Sequence, residues 1–82
     1  MNPYKRLLVA AERYDPLSIE HFRIVRAVSN YQYLNDRWYD APESRRQTER
    51  LLKQANHWCE AIQYAVANRA AIPAWSEVQR KW

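Results

Sequence analysis

A chain of 82 residues without one glycine reads as a single domain, 1–82, small enough to bury only about 60% of the surface its open form exposes. The absent glycines argue against tight β-hairpins and phosphate-cradling loops, which need positive φ angles. Thirteen Lys and Arg against nine Asp and Glu give a formal charge of +4, a moderate excess that suits acidic protein surfaces as well as nucleic acid.

Ten of the thirteen cations are Arg, whose planar fork pairs with carboxylates and phosphates and stacks on rings. Four Trp, six Tyr and one Phe compensate for the thin core, because each contributes a large apolar area. A single cysteine leaves no internal disulfide. No apolar run approaches the roughly 18 residues of a bilayer span, and the N-terminus has no signal-peptide pattern, so the expected location is cytoplasmic.

Asn2 and Pro3 open the first helix, Asn as the cap and Pro preset at the first helical position. This helix is expected over about 3–14, with Tyr4, Leu7, Leu8, Ala11 and Tyr14 on its apolar side. Asp15 and Pro16 end it, and Asp15 or Ser18 caps the next. The second helix spans about 17–39, a length of roughly 35 Å. Its main face carries Leu17, Ile24, Ala27, Val28, Tyr31, Leu34 and Trp38, yet Phe22, Val25 and Tyr33 lie well away from it among Arg26, Ser29 and Arg37. Two sticky sides fit a helix packed between two others. They also fit an exposed strip of Phe22, Arg26, Tyr33 and Arg37 that docks a partner.

Pro42 breaks the pattern, and so short a connection folds two long helices into an antiparallel hairpin. Ser44 and Gln47 supply a capping box for the third helix, about 44–70, the longest run without a breaker. Along it Leu52, Ala55, Cys59, Ile62 and Val66 step by three and four on one stripe, flanked by Leu51 and Trp58, which makes a packing seam. Diametrically opposite run Arg46, Arg50, Lys53 and His57, continued by Tyr64. Arg45 and Arg46 stand in the first turn, where the helix dipole disfavours positive charge, so something other than helix stability accounts for them. Against a functional reading, Glu49 can pair with Lys53 four residues on and leave the row a solvated face.

Ile72 and Pro73 interrupt the helix, and Trp75, Val78 and Trp82 describe a short last one over about 73–81. Two exposed tryptophans would be costly, so this tail is expected to fold back over the open end. The fold class is all-α: a small up-down bundle of three main helices plus a short C-terminal helix.

Groups able to do chemistry are sparse. His57 and Cys59 are two residues apart, hence on nearly opposite sides of a helix, which rules out a nucleophilic pair between them. His21 is the remaining histidine, and two His with one Cys match no structural zinc spacing. Asp36, Asp40 and Glu43 form an acidic cluster, read as charge favouring the start of the third helix rather than as a cation site. No catalytic residue, metal or cofactor is expected.

The chain is therefore expected to be a non-enzymatic helical module that binds a protein as adaptor, inhibitor or regulator. Its candidate contact residues are Phe22, Arg26, Tyr33 and Arg37 on the second helix and Arg46, Arg50, Lys53, His57 and Tyr64 on the third. An acidic partner suits the arginines, and a homodimer is a variant. The alternative is a nucleic-acid-binding regulator that lays the third helix's basic row along phosphates, although no helix-turn-helix unit is present. No membrane association is expected.

Overall fold

The computed structural model describes residues 3–80, the side chains of 3 and 4 apart. It contains α1 (Pro3–Ala11), α2 (Ile19–Asp40), a 3-10 turn (Pro42–Ser44), α3 (Arg45–Ala67) and α4 (Trp75–Gln79), with no strand among the described residues. The Asn2 cap, the Tyr4 side chain and the Trp82 end of the last apolar edge lie outside the described residues.

α2 and α3 form the antiparallel hairpin that sets the length of the molecule, 39 × 27 × 23 Å overall. Two contacts fix its direction: Cys59 Sγ lies 3.8 Å from the Ala27 carbonyl, while Trp38 Nε1 donates to Glu49 at 3.1 Å. Residue numbers rise along one helix as they fall along the other. α1 packs on both helices at the end away from the turn, so each of the three touches the other two, while Phe22 and Tyr33 of α2 stay exposed. The main core gathers there, from Leu7 and Ala11 of α1, Ile24, Ala27 and Val28 of α2, Trp58, Cys59, Ile62 and Ala65 of α3, and Ile72 and Val78 of the tail.

Trp58 joins the tail to this core. It is 1% exposed, lies 5.2 Å from Trp75 between ring centroids, and donates its indole N–H to the Pro73 carbonyl at 2.8 Å. From the other side, Arg23 Nη1 donates to the Ile72 carbonyl at 2.8 Å. Residues 70–74 belong to no helix, so their carbonyls need partners from elsewhere, and two side chains on different helices supply them. The described part of the tail is docked through Ile72, Trp75 and Val78.

Several boundaries differ from the sequence reading. α1 stops at Ala11 rather than 14, because the Glu12, Arg13 and Tyr14 amides bond three residues back in tightening turns. α2 starts at Ile19 rather than 17. Ser18 is its cap, accepting the His21 amide at 3.2 Å, while Asp15 accepts the Leu17 amide at 2.8 Å in a turn of its own. That turn carries Leu17 off the expected face and leaves it 96% exposed. On α1, Leu8 is exposed and Ala10 is buried in its place.

The Ser44 to Gln47 capping box does not form. The 3-10 turn points the Ser44 hydroxyl backwards, where it donates to the Ala41 carbonyl at 3.2 Å. α3 keeps the expected rotation, with Ala55, Cys59 and Ile62 buried, but Leu52 and Val66 are only half-buried. Thr48, Trp58 and Ala65 are buried as well. The last helix is limited to 75–79, shorter than the expected 73–81.

α3 ends three residues before 70 for a reason particular to this chain. Arg69 takes φ 53°, the left-handed conformation that glycine usually provides after a helix. Around it the Ala70 amide donates to the Ala65 carbonyl at 2.8 Å and the Arg69 amide to Val66 at 3.4 Å, the paired bonds of a Schellman motif. A residue with a Cβ loses about 1–2 kcal/mol in this geometry.

Two outcomes follow from these contacts. Arg69→Gly should stabilise the fold by about 0.5–1 kcal/mol, relief of strain being partly offset by a freer unfolded chain, and raise the melting temperature by a few degrees. Trp58→Phe strands the Pro73 carbonyl and should cost about 1–3 kcal/mol in urea titrations. The same variant should be cut faster by protease within 70–74.

Candidate functional site

The outer side of α2 is a continuous exposed stripe. Ile19, Phe22, Arg26, Ser29, Tyr33 and Arg37 follow one another at spacings of three and four, opposite the buried Ile24, Ala27, Val28 and Leu34. Phe22 is 57% exposed and Tyr33 is 60% exposed, too much for aromatic rings that serve only the core. Each has an arginine beside it, one turn further on. The Arg26 guanidinium sits 5.9 Å from the Phe22 ring centre, and Arg37 Nη1 reaches the Tyr33 hydroxyl at 3.5 Å. Asp36 and Asp40 lie on the same exposed side, so Arg26 and Arg37 are balanced by two carboxylates.

The α3 row is also turned to solvent. Arg46, Arg50, Lys53, His57 and Tyr64 are all exposed, along the side opposite Ala55 and Ile62. The structure accounts for the neighbouring Arg45 in another way. Its guanidinium stacks 4.7 Å from the Trp38 ring centre and its Nε donates to the Trp38 carbonyl at 3.1 Å. Arg45 thereby places positive charge at the negative end of α2, which outweighs its unfavourable place at the start of α3. Trp38 also donates its indole N–H across the turn to one oxygen of Glu49, the acid that spacing pairs with Lys53. Arg46, Arg50 and Lys53 keep their place in the row.

The candidate residues thus divide into two groups. Phe22, Arg26, Tyr33 and Arg37 share one face, while Arg46, Arg50, Lys53, His57 and Tyr64 share another. The first group lies on the outer side of α2 alone, whereas Lys53 and His57 of the second also line a groove that α3 shares with Tyr31 and Trp38 of α2. Two grooves flank α3. One, of about 890 Å³, lies beside α2 and is lined by Tyr31, Trp38 and Leu52 with Lys53, His57, Glu49 and Glu60 among its polar groups. The other, of about 720 Å³, lies beside α1 with Lys5, Arg6 and Arg13 over Leu7, Val9, Ala10 and Val66. Sequence periodicity within one helix gives no sign of either groove, because each is made by two.

The groups with chemical potential are dispersed. His21 Nδ1 lies 2.8 Å from the Ala11 carbonyl, and since a carbonyl only accepts, Nδ1 carries the proton there. This bond adds a second donor to the last carbonyl of α1, which also accepts the Tyr14 amide. His57 lies on α3 at the rim of the first groove. Among the described residues no three His, Cys, Asp or Glu side chains are grouped to hold a metal ion. Among them, too, no helix is long and apolar enough to cross a membrane.

Cys59 is buried in the seam, and burial, with Glu60 adding a smaller effect, pushes its thiol from the ordinary 9.0 up to about 12. A thiolate is therefore disfavoured in the fold. Comparison with protein-family models, curated proteins and solved structures finds no match to this chain.

An acid whose pKa rises on folding holds its proton more tightly in the native state. Its stabilising contribution is complete below pH 9 and is lost as pH climbs toward 12. The difference in stability between the natural chain and Cys59→Ala should accordingly narrow over that interval. At pH 8, Ellman's reagent should label Cys59 fully in denaturant and only slowly in the native protein.

Proposed function

We propose that this protein is a non-enzymatic helical interaction module that binds a protein partner as adaptor, inhibitor or regulator, through the outer side of α2. The observation that carries this reading is the pairing of each exposed aromatic with its own arginine, Phe22 with Arg26 and Tyr33 with Arg37. Aromatic and arginine side chains dominate the energetics of protein interfaces. The stripe follows a single rigid helix of 22 residues, which suits a helical or flat protein surface.

A second reading has its own support. Arg46, Arg50 and Lys53 stand exposed in one line at spacings of four and three, an arrangement suited to a phosphate backbone.

The two readings separate in one set of measurements. A captured and identified protein should rebind the purified module in fixed stoichiometry after nuclease treatment, and Phe22→Ala with Tyr33→Ala should weaken that complex about tenfold or more. Circular dichroism and melting of the double variant should stay near those of the natural chain, since both rings are exposed. Loss of the complex with nuclease would overturn the protein reading. A log affinity for nucleic acid falling with log salt at a slope of about −3, flattened by roughly two on Arg46→Ala plus Arg50→Ala, would favour the alternative.

A further inference from the structure

The stripe on α2 has an order that is visible when it is read in both directions. Residues whose numbers sum to 59 lie symmetrically about a point between Ser29 and Asn30. Phe22 corresponds in this way to Arg37, and Arg26 to Tyr33. If a second α2 is laid antiparallel on the first about that point, each aromatic ring meets an arginine of the other copy.

From this we infer that the occupant of the α2 face is a second copy of this chain, paired as an antiparallel, two-fold symmetric dimer centred between Ser29 and Asn30. The inference rests on the reading of this face as a protein-docking surface and names its partner. Two-fold pairing needs a surface that complements itself, and this one does so chemically. Arg26 already lies over Phe22 of its own chain and would face Tyr33 of the other. Arg37, which already bonds its own Tyr33, would face Phe22 of the other. Each half of the interface is then one cluster of two rings and two guanidinium groups, and symmetry repeats it.

Charge and size point the same way. Arg26 and Arg37 are offset on the stripe by Asp36 and Asp40, so two copies meet without net repulsion. The α3 row, with Arg46, Arg50 and Lys53 in line, would repel its own copy. Ser29, the residue at the centre, is small enough for two helix backbones to approach. Only Ile19 and Asp40 at the ends match poorly, and they fall at the wet rim.

Sedimentation equilibrium of the purified full chain over micromolar to millimolar concentration should show reversible doubling of mass. Phe22→Ala plus Tyr33→Ala, and separately Arg26→Ala plus Arg37→Ala, should each raise the dimer dissociation constant about tenfold or more while circular dichroism is unchanged. A spin label on Ile19→Cys should report a distance of about 30 Å between copies, twenty-one residues of helical rise, where parallel pairing would give a much shorter one. A monomer at all concentrations, a dimer indifferent to these substitutions, or a short label distance overturns the inference. Should the chain be monomeric yet bind a different protein through Phe22 and Tyr33, this inference falls and the docking reading stands. Should no protein, this chain included, depend on those two rings, both fall.

Discussion

The bond from the Trp58 indole to the Pro73 carbonyl is the constraint on which the remaining packing depends. A domain of this size has little core to spare, and more than one element must share each large side chain. Trp58 is shared three ways, among the seam of α3, the ring of Trp75 and the extended backbone before α4. The buried side of α3 includes Trp58 and Ala65, while Leu52 and Val66 are half-buried. Arg23 provides the matching bond from α2. The tail thus packs on α3 and is tied to α2 by the Arg23 bond, at the end opposite the turn.

Trp38 plays the corresponding part at that turn. Its ring accepts the Arg45 guanidinium, its backbone carbonyl accepts the same residue's Nε, and its indole donates to Glu49. These contacts fix the register of the hairpin, and the register fixes which side chains remain outside. With Ala27 against Cys59 and Trp38 against Glu49, Phe22 and Tyr33 have no helix left to pack on. Exposure of the α2 stripe is in this sense a result of the hairpin geometry, and not of α2 alone.

What the sequence disclosed follows from the reach of its signals. Periodicity is local, so the all-α fold, the order of helices and the inward rotation of Ala55, Cys59 and Ile62 were legible from spacing. The exposed strip of Phe22, Arg26, Tyr33 and Arg37 was legible too, as one of two alternatives for α2. Helix ends were not, because contacts beyond the helix bear on them. The last carbonyl of α1, that of Ala11, is bonded by His21 of α2, and Ser44 turns from the expected cap to Ala41. Arg45 and Glu49 looked like members of a charged helix surface until Trp38 engaged both across the turn. The burial of Thr48 has no counterpart in the apolar pattern, which a threonine does not enter.

Arg69 in its left-handed position bears on the unfolded chain as much as on the folded one. A polypeptide with no glycine lacks the positions with the most backbone states to surrender, so on average ordering it loses somewhat less entropy per residue. The local strain at Arg69 is the counterpart of that economy. One unfavourable torsion at a single joint accompanies a denatured ensemble that is somewhat stiffer on average, and a thin core gains from the exchange.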